Sequence, residues 1–464
     1  MSSLRKLLLF LCLVAASIAV QAQRLVSGPM IGHTEFRTAV IWFQLSGNFP
    51  VSDIRVRITP EPGAIPVITK ENNPYYHIYK IQFVNLQPGT KYEYDFHALP
   101  IMRPLAEGSF TTQQLWQWRK LSPDFSFITG SCAFTNHPAY DRLYYDVPRF
   151  TKTSKPYGQD SAIFLTMAKE KADFMLWLGD NWYTREVDYY SPWGLHNRAA
   201  TDRGSAIIQP LLKAMPQYAI WDDHDYGPND SDKSFHLKKD SRLAFKSFWA
   251  NPSYGMNEQG IYTRFTWNDV DFFLLDDRWY RSNDEMADSI DGQPNNEKKM
   301  FGDLQLEWLK NALLQSKNNP NINFRIIVNG SQVLNPVSPY DCFRKFPVEY
   351  NDLIKFVTEN KVNGILFLTG DRHHSEIIKI DRAGAYPLYD ITSSPLTSGT
   401  HKFGSAEKEN AYRVLGIDQK QNYTRVSFNG VGRDRTLTAT FLGVQGDQLG
   451  EYKITASQLR HDDK

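Results

Sequence analysis

Two regimes of hydrophobic patterning divide the chain. Up to about residue 112, short apolar stretches are separated by turns. Residues 38–43 are rich in β-branched and aromatic side chains, and residues 54–58 alternate apolar and basic positions, as a half-exposed strand does. Residues 76–83, 91–96 and 107–112 continue the series, with Gln87-Pro-Gly-Thr90 as a turn. The spacing predicts a small all-β sandwich over residues 23–115. Nothing catalytic stands out there, and packing, shielding of substrate or contact with carbohydrate all remain open roles.

From residue 125 the pattern changes. Continuous apolar runs at 125–128, 174–178, 218–221, 270–275, 324–328 and 365–368 read as buried strands. Helical stretches fit at about 161–171, 304–317 and 349–360, and the second has a wide apolar face containing Leu306, Leu309 and Leu313. Strands alternating with helices predict an α/β unit over residues 120–464, returning to β character at about 411–455. The clearest late strand is 435–441.

The amino terminus reads as a secretory signal peptide over residues 1–22. Arg5 and Lys6 precede an apolar run from Leu7 to Val20, too short for a comfortable membrane span, and Val20-Gln21-Ala22 offers a cleavage site. Cys12 lies in the run and is discarded with it. The predicted location is periplasmic or secreted, with no transmembrane segment after cleavage. Removing two basic residues from the 52 in the chain leaves 50 against 51 acidic ones. That balance argues against a stable nucleic-acid partner. The mature chain keeps Cys132 and Cys342, and export permits a bridge between them.

Each buried run is followed at once by polar side chains able to hold metals. The six clusters are Gly130-Ser-Cys132, Gly179-Asp-Asn-Trp-Tyr183, Asp222-Asp-His-Asp-Tyr226, Asp276-Asp-Arg-Trp-Tyr-Arg281, Asn329-Gly-Ser-Gln332 and Gly370-Asp-Arg-His-His374. In open α/β sheets ligands bind beyond the carboxyl ends of strands. One Asp after a strand is often only a turn or capping residue. Six clusters at six strand ends instead suggest convergence on one centre. Carboxylate, imidazole, amide and phenolate suit hard and borderline metals, and a Cys132 thiolate would add a soft donor. Glycines before Asp180 and Asp371 let the backbone turn sharply there.

In order and strand context, Gly-Asp-x-x-Tyr, Trp-Asp-Asp-His-Asp and Gly-Asp-x-His resemble the PhoD-like alkaline phosphatases. These belong to the broader calcineurin-like and purple-acid-phosphatase-like metallophosphoesterases. The resemblance implies a two-sheet αββα sandwich with the metals at one edge. It also implies hydrolysis of phosphate esters, mono- or diesters, by a metal-bound hydroxide. Asp180 then matches the bridging carboxylate, and Tyr183 and Cys132 match ligands of a ferric ion. Asp223 fits the second metal, and Asp371 and His373 match the final ligand pair. The family's pairing of Fe3+ with Ca2+ agrees with carboxylate at the second site. His224 would contact phosphate or protonate the leaving group. Independently of the resemblance, residue type and position suggest that Arg278 and Arg281 bind phosphate bidentately and that Asn181 touches phosphate or metal. Two features depart from the pattern: Asp225 stands where Glu is frequent, and His374 beside His373 leaves two imidazoles competing for one role.

Blander roles stand beside these. Tyr183 could be a core tyrosine, Cys132 an inert buried thiol, and Arg278 and Arg281 ion-paired arginines. Asn229 and Asp230 are either further ligands or turn residues, with the turn reading favoured. Two other functions also fit the sequence. One is a phospholipase-type phosphodiesterase of the same fold acting on lipid or polymer esters. The other is a metal-stabilised, non-enzymatic surface-binding protein.

Overall fold

A computed structural model describes residues 24–61, 63–100, 103–137, 158 and 161–461. The expected signal peptide, residues 1–22 with Cys12, lies outside the described residues.

Two antiparallel sheets form the amino-terminal sandwich. One has the strand order Leu25–Thr34, Ala39–Leu45, His77–Val84, Ile65–Lys70, and the other Ile54–Thr59, Lys91–Ala98, Ala106–Thr111. Alternation decides which residues go where. Ile41, Phe43, Ile81 and Phe83 meet Ile54, Ile58, Phe96 and Phe110 between the sheets. Met30, Trp42 and Ile78 point the opposite way and join the core of the larger unit. Strands Leu25–Thr34 and Ala39–Leu45 are therefore largely buried on both faces, whereas the edge strand Ile65–Lys70 stays exposed. Trp42 donates its indole N–H to the Ser247 carbonyl at 2.7 Å. At Gly32 the approach is so close that a Cβ would lie 2.3 Å from that of Ala250. Strands Leu25–Thr34 and Ile65–Lys70 have no counterpart in the sequence reading.

The larger unit is a mixed α/β sandwich of two sheets. The six-stranded sheet runs Gln217–Ile220, Phe174–Leu178, Phe125–Gly130, Asn422–Asn429, Thr436–Gly443, Gln448–Thr455. The seven-stranded sheet runs Thr263–Trp267, Val270–Leu274, Phe324–Asn329, Ile365–Thr369, Ala385–Thr392, Ser375–Arg382, Arg413–Ile417. The six apolar runs thus fall three to a sheet, and each trio is mutually parallel. Parallel strands covered on both faces need unbroken apolar runs, which explains their composition. Aromatic rings lock the sheets together: Phe127 meets Phe272 edge-on at 5.4 Å, and Tyr218 stacks on Phe265 at 3.9 Å. Ala162–Met167, Gly302–Lys317 and Pro347–Glu359 are the three expected helices. Helices Pro192–Arg203, Gln209–Ala214 and Lys238–Phe248 have no counterpart in the sequence reading. No described helix is long and apolar enough to cross a membrane.

Candidate functional site

The parallel strands of both sheets deliver their carboxyl ends to one edge of the sandwich. A cavity of about 280 Å³ opens there, lined by Asp180, Asp223, His224, Asp371 and His373 together with Asn229, Asp230, Tyr340, Asp341, Arg372 and His401. Ligand-type atoms of Asp180, Asp223 and His224 lie within 4.8 Å of one another. Directly behind the lining, the Cys132 thiol is 3.6 Å from a carboxylate oxygen of Asp180, and the Tyr183 hydroxyl is 3.3 Å from His373 Nε2. All six residues expected to hold metal are therefore neighbours.

The backbone is bent to bring them there. Cys132, Asp180, Asp371 and His373 have φ of 59°, 52°, 70° and 55°. That region is sparsely used by residues with a Cβ and costs roughly 1 kcal/mol or more per residue, a strain that recurs at functional sites. Asp225 secures two of the turns. Its carboxylate accepts from the backbone N–H of Asn181 at 2.9 Å and from that of Asp222 at 3.0 Å, so the loops after two adjacent strands share one anchor.

A family model for PhoD-like phosphatase matches residues 193–438, more than half of the chain. The chain belongs to the PhoD-like phosphatase family. The matched span holds Asp223, His224, Asp371 and His373, whereas Cys132, Asp180 and Tyr183 precede it. Alkaline phosphatase D of Bacillus subtilis (strain 168) is 24% identical over 339 residues, which are 64% of this chain and 54% of that protein. The chain thus spans about half the length of this curated relative. A solved structure of PhoD superposes with a TM-score of 0.65 at 19% identity, over 93% of this chain and 90% of that one. The purple acid phosphatase PPD1 from yellow lupin (Lupinus luteus) seeds gives 0.63 at 10% identity, over 92% and 74%. The two-sheet fold is that of PhoD and of this purple acid phosphatase.

Within this PhoD-like site the charge balance is unusual. Burial, then repulsion from the neighbouring acidic groups of Asp223, Cys132, Asp225 and Asp371, raises the Asp180 carboxyl well above its ordinary range. Burial and Asp341 push Asp371 up to about 8. Burial and Asp371 push the Cys132 thiol up to about 12. Asp223 goes the other way: burial opposes its charge, but His224 and Arg278 outweigh it and lower its pKa. Burial holds His224 below its usual value, and its buried Nδ1 has no hydrogen-bond partner among the described residues. A cluster of buried carboxylates around a thiol and a phenol, with too little positive charge nearby, is what a cation site looks like without its cation. The residues present therefore fit a metal.

Three predicted contacts depart from this geometry. Arg278 does not line the cavity; it is buried, pairing with Asp222 and donating to Asp341 at 2.7 Å. Arg281 likewise pairs with Asp284 and Asp341 at 2.7 and 3.0 Å. The ion-paired alternative describes both. Asn181 turns into the body, where its amide donates to the Ile220 carbonyl and to Asp225. The neighbouring imidazoles separate: His373 lines the cavity, while His374 packs on Phe403 and lies 3.5 Å from Glu376. Cys132 and Cys342 are both free thiols.

Three cavity residues escaped the sequence reading: Tyr340, Asp341 and His401. None follows a buried strand directly. The one available signal was polar and aromatic residues clustered in loops that return to the strand ends. Asp230, read as a turn residue, also lines the cavity, and its backbone N–H donates to Asp223 at 2.7 Å.

Proposed function

We propose that this chain is an exported, metal-dependent hydrolase of phosphate esters. The observation that carries the reading is the uncompensated carboxylate cluster centred on Asp180, gathered from both sheets in a chain of the PhoD-like family. Asp180, Asp223, Asp371, His373, Cys132 and Tyr183 would hold the metals. Thiolate and phenolate suit Fe3+, and the carboxylates suit Ca2+. When bound, such ions supply positive charge for the phosphoryl oxygens and acidify a water.

The chain's own residues do the rest. His224 faces the cavity with its ring stacked on Tyr183 at 4.2 Å, which fixes its plane. In that position it holds a proton for the departing oxygen or donates to the phosphate. Arg372 lines the cavity with its guanidinium clamped by Glu407 at 2.9 Å, and it supplies the positive wall. Arg278 is a positioning residue: it ties Asp222, beside Asp223, to Asp341 on the facing loop. The residue 23–115 sandwich, packed on the 120–464 unit through Trp42, belongs to the same reading as a packing module. The substrate is a small-molecule, lipid or polymer phosphoester.

The test is elemental analysis of protein purified without chelator, with assays on p-nitrophenyl phosphate and bis-p-nitrophenyl phosphate. Near-stoichiometric iron and calcium with chelator-sensitive turnover is expected, and the ratio of the two rates reveals the ester class. Asp180→Asn should lose most turnover while remaining folded; near wild-type activity in that variant would remove Asp180 from the centre. Bound metal with no hydrolysis of any phosphoester would favour a binding protein.

A further inference from the structure

At the mouth of the cavity stands an aromatic ring that the proposed hydrolysis does not use. Tyr340 is 63% exposed, yet its surroundings are fixed. One face lies over the Arg372 guanidinium, 4.9 Å from ring centroid to Cζ. Arg372 is itself buried, held by both carboxylate oxygens of Glu407 and by Ser338 Oγ. The loop carrying Tyr340 is anchored on either side. Asp341 is gripped by Arg278 and Arg281, and Cys342 forms a parallel bridge with Gln332. On the other side, Lys345 donates to the Pro339 carbonyl at 3.2 Å. An exposed tyrosine normally loses side-chain freedom when it binds something. Here much of that freedom is already spent. The exposed ring of His401 lines the same cavity, set 4.6 Å from the His373 ring.

We propose that Tyr340, backed by Arg372 and accompanied by His401, is a stacking platform for the leaving group. The preferred substrates are then phosphate esters of alcohols that carry a planar ring, nucleoside 5′-phosphates being the simplest class. The proposal rests on the phosphoesterase reading for its phosphate subsite. It adds that ring stacking, not only phosphate, selects the ester. Stacking on an aromatic side chain tolerates any base, because every base presents a π-face.

The test compares adenosine 5′-monophosphate with glycerol 3-phosphate. Both are primary alkyl monoesters of matched intrinsic reactivity, and only one bears a ring. With protein purified metal-replete, kcat/KM is measured on both for wild type, Tyr340→Phe and Tyr340→Ser. The wild type should prefer the nucleotide. Tyr340→Ser should lower the nucleotide-to-glycerol ratio about tenfold, equivalent to about 1.4 kcal/mol, and Tyr340→Phe should keep the ratio. General damage to the fold would lower both rates and leave the ratio unmoved. An unchanged ratio in Tyr340→Ser, or an equal fall in Tyr340→Phe, overturns the platform. Calorimetric binding of the same two compounds to the same protein separates this inference from the hydrolase reading. Absence of turnover on both with Tyr340-dependent preference for the nucleotide in binding keeps the platform and removes monoester hydrolysis from the proposed function. Equal binding of the two compounds defeats the platform whatever the turnover.

Discussion

Replacing Asp180 by Asn should stabilise the metal-free protein while crippling the metal-loaded one. Asp180 is buried with a ligand-type oxygen within 4.8 Å of those of Asp223 and His224. Two like charges at that separation repel by about 3–4 kcal/mol at an effective dielectric of about 20. Protonation and local relaxation remove part of this, so about 1–3 kcal/mol of relief is expected from the amide. An Asn oxygen can still accept from the His224 backbone N–H, which now donates to Asp180 at 3.2 Å. The pH dependence gives the sign. Burial and neighbouring anions raise the folded pKa of Asp180 above its ordinary 3.8. A carboxyl raised in this way contributes its stability below the unfolded pKa and loses it as pH climbs through the folded one. The wild type therefore weakens with rising pH at this position, whereas Asn does not titrate. Thermal unfolding of chelator-treated samples between pH 5 and 9 should show the variant melting higher, by about 1–3 °C for a chain of this size, with the gap widest at high pH. Adding metal should reverse the order. A chelated variant that melts below wild type throughout, or a gap independent of pH, would refute the view that Asp180 sits in an anionic cluster awaiting a cation.

Four further outcomes follow from particular contacts. Arg278→Met leaves Asp222 and Asp341 without their buried partner, and urea unfolding should show a loss of about 3–5 kcal/mol, with KM less affected because the side chain does not line the cavity. Asp225→Ala strips acceptors from the Asn181 and Asp222 backbone N–H groups and the Asn181 amide, and should cost about 3 kcal/mol or more by the same measurement. Gly32→Ala forces a Cβ to within 2.3 Å of Ala250 and should lower the unfolding midpoint by an amount equal to about 1–3 kcal/mol. Cys132 and Cys342 are buried with their thiols pushed up to about 12, so mass spectrometry after iodoacetamide treatment at pH 8 should find neither alkylated in the folded, chelated protein and both alkylated after denaturation.

What the sequence disclosed was the set of strand ends, and what it concealed was direction. Short unbroken runs such as 174–178, bounded by turn residues, read as buried strands, and a polar cluster immediately after one sits at the sheet edge. That logic found Cys132, Asp180, Tyr183, Asp223, His224, Asp371 and His373, which the structure brings together. It could not separate Arg278 from a phosphate contact, because its fate is set by Asp222 and Asp341, which are 56 and 63 residues away. Nor could it find Tyr340 or His401, whose loops have no periodicity and reach the cavity only through the tertiary fold. In the sandwich, the exposed Ile65–Lys70 strand carries no alternation of burial strong enough to mark it.

Adjacent residues at these strand ends divide two tasks between them. Asp223 faces the cavity, while Asp222 beside it faces Arg278. Asp180 lines the cavity, while Asn181 binds Asp225 inside the body. His373 lines it, while His374 packs beside Glu376. Two of the six clusters serve only the second task. Asp276 accepts from the Trp221 indole, from Ile261 N and from the backbone of Arg278 and Trp279, and Asp277 accepts from the backbone and hydroxyl of Ser331. Gly330 lies so close to Asp222 and Asp277 that a Cβ would come within 2.7 Å of each. These carboxylates cross-link neighbouring strand ends into a wall. A cluster of anions held in strained backbone would otherwise relax by spreading apart, and the wall is what opposes that motion. The density of acidic residues at the sheet edge therefore combines a candidate cation site with the scaffold that keeps it compressed, which is why counting them overstates the number of candidate ligands.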